Sequence, residues 1–300
     1  MQTNTPISCC TIPKEEITRV KALGFLNCKG TNNFNCRVIT RNGKITADES
    51  TCITEAARQF GTGEIAMTTR LTLEIQQVPY ENIDKIRDFL ANGNLETGGT
   101  GKKIRPIVSC KGTTCQYGLY DTFAVSDHIH EHFFKKYQDL TLPHKFKIAV
   151  GGCPNNCTKP NLNDFGIVGQ KIPLFDASKC KNCKVCAMEQ ACPMGAARVM
   201  NGVLSIQKDL CNNCGRCVTK CIFHGNDESI LGFKVYIGGR WGKKTAQGKP
   251  LNRIFTSEEE LYEVLDKALL LFKEQGIDGE RFADTIERLG FHNVEQQLIG

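Results

Sequence analysis

Twelve of the 17 cysteines in this 300-residue sequence fall in short runs, at spacings that suit thiolates sharing a metal rather than disulfide partners. The densest runs are Cys180-x2-Cys183-x2-Cys186-x5-Cys192-Pro193 and Cys211-x2-Cys214-x2-Cys217-x3-Cys221. Three thiolates at x2 spacing wrap one 4Fe-4S cluster, and the fourth cysteine of each run reaches across to the other cluster. One cluster would therefore take Cys180, Cys183, Cys186 and Cys221, and the other Cys192, Cys211, Cys214 and Cys217. Zinc also accepts cysteine pairs, but a tetrahedral zinc site has no use for a third cysteine at x2 in both runs. Two features depart from the commonest ferredoxin pattern: x5 replaces x3 before Cys192, and Ile222 stands where proline often follows the last cysteine. The chemistry these residues support is electron transfer.

A second constellation, Cys110-x4-Cys115 and Cys153-Pro-Asn-Asn-Cys157, has the spacing of a four-thiolate site whose metal the spacing leaves open. Near it runs Lys145-Phe146-Lys147, in which strand alternation puts both lysines on one side. Taken alone, Lys145, Lys147, Arg37 and Arg70 read as ordinary exposed strand cations. His128 and His132 share a helix face at i, i+4 but lack an evident third ligand, so a solvated face is the simpler reading. The remaining Cys9, Cys10, Cys28, Cys36 and Cys52 read as buried or free thiols, with Cys36 beside Arg37 the one to watch.

The elements that must position these residues follow from periodicity. An amphipathic helix carries Ile17, Val20 and Leu23, and an alternating strand spans Phe34 to Arg41. A helix over 48–60, with Asp48 as its cap, leads to a strand from Ile65 to Ile75 and a helix after Pro79, a βαβα unit. The loop NGNLETGGTGKK fails as a phosphate loop because Glu96 and Lys103 occupy the positions that need Gly and Ser/Thr. A strand at 104–109, a helix over 120–138 and a strand at 145–150 deliver the chain to the two cysteine pairs. From 165 to 229 the sequence turns cysteine-dense with little helical periodicity, as expected of an inserted module with an inorganic core. A strand at Phe233 to Ile237 and a long helix at Glu258 to Phe272 then resume the larger domain.

The formal charge of +6 is mild, and no dense basic stripe suggests nucleic acid. No segment approaches the ~20 apolar residues of a membrane span, and the start, MQTNTPISCCTIPKEE, does not read as a signal peptide. A reducing cytoplasm is the expected home.

The run GGCPNNCTKP, with LPHKFK before it and SCKGTTC further upstream, resembles the signature of the nitrite and sulfite reductase family. The resemblance covers the chain from Phe34 to the C-terminal helix and implies an α+β fold. Its parts would be a ferredoxin-like half-domain (1–78), a sirohaem and 4Fe-4S domain (79–164 and 230–300), and an inserted bacterial-type two-cluster ferredoxin domain (165–229). The resemblance implies that Cys110, Cys115, Cys153 and Cys157 hold a third 4Fe-4S cluster, with Cys157 also touching sirohaem iron. The family's first pair is usually spaced x5 and here is x4. FNCRVITRNGKIT and AMTTRLTLE resemble the segments that supply substrate arginines, which places that role on Arg37 and Arg70, and the two lysines complete the anion site. Leu71 and Ile39 stand where relatives carry Gln and a further arginine.

Sirohaem carries eight carboxylates, and Arg105, the loop residues Gly98, Gly99 and Thr100, and Arg240 are the expected contacts for them. A glycine-rich loop can instead simply need unusual backbone angles.

The implied reaction is six-electron reduction of sulfite to sulfide. Electrons would enter the insert and reach sirohaem through the Cys157 sulfur, while the four cations hold the anion and relay protons. Nitrite reduction to ammonia is the competing enzyme reading; the lysine at 147 argues for sulfite, since plant-type nitrite reductases resemble one another in having asparagine there. A non-catalytic carrier or redox sensor is the reading outside enzymes, and retention of both upstream cysteine pairs and all four cations speaks against it. No dinucleotide-binding glycine fingerprint is present, so a separate electron-donor protein bearing flavin or iron-sulfur centres is expected. The family resemblance is to its small, anaerobic, single-half type, and self-pairing follows by fold analogy.

Overall fold

The computed structural model describes residues 12–300, so Cys9 and Cys10 lie outside the described residues. The chain divides into two compact units: one runs to Val108 and adds Ser126–Ile148 and Gly276–Arg281, and the other takes Ser109–Val125, Ala149–Gln275 and Phe282–Gly300.

The first unit opens with α1 (Lys14–Ala22) and is built on an antiparallel sheet of β1 (Phe25–Asn27), β2 (Asn33–Ile39), β4 (Leu73–Pro79) and β3 (Ile65–Met67), in that spatial order. The short β5 (Glu96–Thr97) adds to β2. Two helices, α2 (Ala47–Phe60) and α3 (Ile83–Asn92), supply the other layer. Alternation in β2 sends Phe34, Cys36 and Val38 into a core shared with Ile53, Ala57, Phe60, Ile75, Ile86 and Leu90. The cap of α2 is Thr46 rather than Asp48: its hydroxyl accepts from Glu49 N–H while Glu49 reaches back to Thr46 N–H, a reciprocal capping box. The expected single strand from Ile65 to Ile75 is two strands, because Leu71 takes φ +58° in the turn that Thr68 and Thr72 brace.

The second unit carries a five-stranded sheet ordered β12 (Lys249–Phe255), β11 (Ser229–Ile237), β8 (Phe165–Pro173), β7 (Ile148–Gly151) and β6 (Val108–Ser109). β8 and β11 pair antiparallel without a break from Phe165↔Ile237 to Pro173↔Ser229. Residues 165–173, which composition groups with the cysteine-dense segment, therefore form a strand of this sheet. α6 (Glu258–Gln275) turns Leu261, Leu265, Ala268 and Phe272 inward, as its periodicity predicts. Two further helices, α7 (Phe282–Leu289) and α8 (Phe291–Ile299), follow.

The cysteine-dense stretch begins where β8 ends and returns where β11 begins, so it is the connection of an antiparallel pair. It contains one short helix, α5 (Ala187–Ala191), and one hairpin, β9 (Ala197–Met200) with β10 (Val203–Ile206). Its apolar core is small: Met188, Ala197, Leu204 and Cys217, with Phe175, Cys186, Cys192, Val199, Ile206 and Cys221 packed against them.

The expected helix over 120–138 is α4 (Thr122–Ile129), which runs into a π-helical turn at His130–Lys135. Such turns are rare and cluster at functional sites. Of the histidines there, His128 and His132 have ring centroids 4.1 Å apart with the planes tilted by 39°, while His130 is buried and lies 3.7 Å from Glu96.

Candidate functional site

The expected cations of the first unit are drawn in from the surface rather than freely exposed. Arg37 sits directly opposite Glu74 in the β2–β4 register, and their ion pair closes at 2.6 Å with both side chains largely covered. Arg70 lies in the β3–β4 turn, not in a strand. Its Nε and Nη2 donate to the Pro106 carbonyl at 3.2 and 2.7 Å, and Nη2 also to the Ile148 carbonyl at 3.3 Å. Lys145 and Lys147 are half-buried and Phe146 between them is fully buried; the strand expected at 145–150 begins only at Ile148, with Phe146 in an isolated bridge to Ile104.

Arg105 donates through Nη1 to the Gly99 carbonyl at 2.9 Å, and Arg37 Nη1 approaches the same oxygen at 3.5 Å. Its Nε is buried and has no hydrogen-bond partner. Burial first, and then the nearby Arg37 and Arg281, push the Arg105 guanidinium down to about 10. His144 reports the same field: burial, followed by Arg281, Lys145, Arg105 and Lys102, lowers its pKa. Arg281, buried at the close of the loop after α6, was missed by sequence reasoning, because nothing distinguishes it from any loop arginine.

The loop residues are used differently from expectation. Gly98, Gly99 and Gly101 all have positive φ, and a Cβ at Gly99 would meet Pro106 Cγ at 2.4 Å, so the glycines meet a conformational need. Gly98 N–H donates to the Arg37 carbonyl at 3.3 Å, and the buried Thr100 hydroxyl donates to the Lys21 carbonyl. In the second unit, Arg240 is buried and pairs with Asp284 at 2.5 Å, so its charge is already matched.

In the second unit Cys110 and Cys153 each follow the end of one of two neighbouring strands, β6 and β7, and Cys110 N–H donates to the Val150 carbonyl at 3.0 Å. Gly152 N–H donates to Cys110 Sγ at 3.1 Å. Cys115 ends the short turn Gly112–Thr114, and Cys157 is exposed. Burial raises the Cys153 thiol, and negative charge on Cys110, Cys157 and Cys115 raises it further, so the four sulfurs share one electrostatic neighbourhood. The x4 spacing still brings Cys115 into it.

In the cysteine-dense module, Cys192, Cys211, Cys214 and Cys217 line one recess together with Pro173, Ile206 and Gly215. Burial raises the Cys217 thiol, with Cys211, Cys192 and Cys214 adding to the rise, which groups the fourth cysteine of one run with the first three of the other. Cys192 Sγ accepts from Ala196 and Ala197 N–H at 3.2 and 3.4 Å. Burial is the largest influence on that thiol and raises it, but backbone N–H groups of Ala197, Met194, Ala196 and Gly195 outweigh it and lower the pKa, favouring thiolate. The segments of Cys180 and Cys221 are joined by Asp176 N–H to the Gly225 carbonyl at 2.8 Å and Lys179 Nζ to the His224 carbonyl at 3.4 Å. Backbone donors at Leu204 and Asn182 lower the Cys180 thiol. Among the described residues no three His, Cys, Asp or Glu side chains converge as a single-ion site. Cys36 is fully buried and Cys28 nearly so, and burial raises both thiols, which are core residues.

The family model for the nitrite and sulphite reductase 4Fe-4S domain matches residues 100–299, and that for the nitrite/sulfite reductase ferredoxin-like half domain matches residues 29–93. The chain belongs to the nitrite and sulfite reductase family.

An uncharacterized protein of Methanocaldococcus jannaschii is 28% identical over 265 residues, 88% of this chain and 90% of its own length. The coenzyme F420-dependent sulfite reductase of the same organism is 28% identical over 82% of this chain and 39% of its own. One of the subunits of the anaerobic sulfite reductase of Salmonella typhimurium is 29% identical over 53% of this chain and 50% of its own. The chain thus spans half or less of these two named relatives. A crystal structure of dissimilatory sulfite reductase I superposes with a TM-score of 0.70 over 88% of this chain and 68% of that one, at 22% identity. The Mycobacterium tuberculosis NirA structure gives 0.63 over 93% and 41%, at 20% identity. These two likenesses support the α+β reductase fold. Family membership supports sirohaem and a 4Fe-4S cluster as cofactors, and no helix among the described residues is long and apolar enough to cross a membrane.

Proposed function

We propose that this protein reduces sulfite to sulfide by six electrons on sirohaem, supplied through two ferredoxin-type 4Fe-4S clusters in the module between β8 and β11. The observation that carries the reading is Arg105. A buried, unmatched guanidinium nitrogen costs about 1–3 kcal/mol, and surrounding it with Arg37 and Arg281 adds repulsion. Folding gains nothing from gathering these charges, whereas a polycarboxylate bound beside them would offset their mutual repulsion. Sirohaem, with its eight carboxylates, fits, and Arg105 and Arg281 are the side chains to hold it. When bound, sirohaem and its coupled cluster supply the redox chemistry.

Cys110, Cys115, Cys153 and Cys157 would hold the coupled cluster, and the exposed Cys157 suits the ligand shared with sirohaem iron. Cys180, Cys183, Cys186 and Cys221 would hold one cluster of the module, and Cys192, Cys211, Cys214 and Cys217 the other. The N–H···S bonds to Cys110 and Cys192 fit such thiolates, since hydrogen bonds to sulfur tune cluster potential. Arg70, fixed by three hydrogen bonds to backbone carbonyls, presents a preorganised charge to the oxyanion. Arg37, already shared with Glu74, orients more than it neutralises. Lys145 and Lys147 would bind the anion through Nζ and donate the protons its departing oxygens need.

Sulfite is favoured over nitrite by Lys147 and by relatives named as sulfite reductases, although an NAD(P)H nitrite reductase of Neurospora crassa is also 28% identical over 157 residues. The electron donor would be a flavin or iron-sulfur protein. Anaerobically purified protein should show sirohaem absorption and iron for three clusters, and turn over sulfite faster than nitrite with reduced viologen. Iron-sulfur absorption without sirohaem bands would make the chain a carrier, and faster nitrite turnover would reverse the substrate assignment.

A further inference from the structure

Within the second unit, the two thiol sets of the module differ in what surrounds them. The Cys192, Cys211, Cys214 and Cys217 set is tied to the sheet that carries Cys110 and Cys153. Lys171 N–H donates to the Asn213 carbonyl at 2.7 Å, Asn213 Nδ2 donates to Gln170 Oε1 at 3.1 Å, and Lys171 bridges to Cys214. Next along β8, Gly169 packs so closely on Gly152, the neighbour of Cys153, that a Cβ would meet the Gly152 carbonyl at 2.6 Å. Independently, the Arg216 guanidinium lies 5.7 Å from the centre of the Tyr117 ring, joining the neighbour of Cys217 to the residue two beyond Cys115. This set is the inner one.

The other set presents a surface. Lys179 and Lys181 flank Cys180, Lys184 follows Cys183 and Lys220 precedes Cys221, and all four are exposed. Between them stand Val185, Ile222 and Phe223, 61%, 74% and 40% exposed. Lys181, Lys184 and Lys220 form no ion pair among the described residues. The acids nearby are engaged: Asp176 accepts from Ser178 and lies 4.0 Å from Lys179, Asp227 pairs with His224 at 2.6 Å, and Glu189 accepts from Val199 N–H. Glu228 is exposed as well. The inner set has Arg216 beside Cys217, turned to Tyr117, and Lys171 beside Cys214, half-buried and paired through its backbone. Exposed apolar side chains flanked by Lys181, Lys184 and Lys220, which lack an ion-pair partner among the described residues, fit an acidic partner, because complementary charge steers encounter while the apolar side chains hold the contact.

We propose that electrons enter the module at the Cys180, Cys183, Cys186 and Cys221 end, where these lysines and apolar side chains dock a small acidic one-electron carrier protein. The proposal rests on the two-cluster reading of the module given above. Each encounter oxidises the carrier by one electron and reduces the module by one, and no proton or other atom changes hands.

The test uses cofactor-loaded protein and a plant-type [2Fe-2S] ferredoxin as the acidic probe. Substituting Lys181→Glu, Lys184→Glu and Lys220→Glu together should raise the Kd about tenfold or more and flatten its salt dependence. Stopped-flow reduction by the reduced ferredoxin should slow in parallel, and the corresponding triple Lys→Gln variant should lose less. A control triple of Arg198→Glu, Lys208→Glu and Lys273→Glu should bind as the parent does. Iron content and the electron paramagnetic resonance of deazaflavin-photoreduced samples report cluster integrity separately from docking. Parental Kd and reduction rate in the Lys181, Lys184 and Lys220 triple, with parental iron and spectra, would overturn the docking site. Iron too low for three clusters in the parent protein would overturn the reading beneath it, and the proposal with it.

Discussion

The cation cluster around Arg105 and the cysteine module between β8 and β11 hold their reactive groups in opposite ways. Around Arg105 the protein does the holding: Arg70 is fixed by three bonds to backbone carbonyls, Arg37 by Glu74, and Phe146 anchors the lysine pair from a fully buried position. Beneath Arg37 lies a core of large side chains, among them Phe25, Phe34, Ile53, Ile75 and Leu90. In the module the core is Met188, Ala197 and Leu204 with cysteines, too little apolar surface to order some fifty residues. Charge is preorganised by packing in one place, and packing is organised by the expected metal in the other.

The largest effect should come from removing iron. Hydrogen exchange after chelation under reducing conditions should show amides between β8 and β11 losing protection almost completely, while β2, β4 and α2 keep theirs. Equal loss in both regions, or none in the module, would break the contrast. Next, Lys145→Ala with full sirohaem and cluster occupancy should slow sulfite turnover about 100-fold, as removal of a preorganised charge typically does. A parental rate would remove Lys145 from the anion site.

The smallest effect concerns Glu96. The interaction with His130 outweighs burial and, with Lys135 at 3.2 Å, lowers the Glu96 carboxyl to about 2. A depressed carboxylate contributes stability above its unfolded pKa and loses it as pH falls through the folded value. The melting temperature should therefore fall as pH drops from about 4.5 towards 2, and Glu96→Gln should shrink that fall. An unchanged pH dependence in Glu96→Gln would show that the pair is too solvated to matter.

How legible the molecule was in its sequence depended on how local the signal is. The long helix at 258 and the alternation of Phe34, Cys36 and Val38 follow from periodicity, and both are present. The break at Arg70 was hidden because it rests on Leu71 adopting a left-handed backbone, which leucine does not advertise. The boundary at 165 followed composition alone, and composition does not reveal that β8 pairs with β11, a strand more than fifty residues away. Among site residues, the thiols announce themselves by spacing. Arg281 does not, since only the fold brings it to Arg105 and His144. Arg240 was nominated from its glycine-rich loop, and its pairing with Asp284 depends on where α7 packs, which no local pattern reveals.

The antiparallel pairing of β8 with β11 is complete up to Pro173 and Ser229, the last residues before the module departs and the first after it returns. The two strands close a finished hairpin without any help from what hangs on its tip. A gene encoding this host could exchange the whole appendage for a tight turn, or for a differently wired one, and keep every β8–β11 pairing, while losing the bond from Lys171 N–H to the Asn213 carbonyl. On the proposed function, electron supply and anion chemistry would then be inherited, lost or swapped as separate traits.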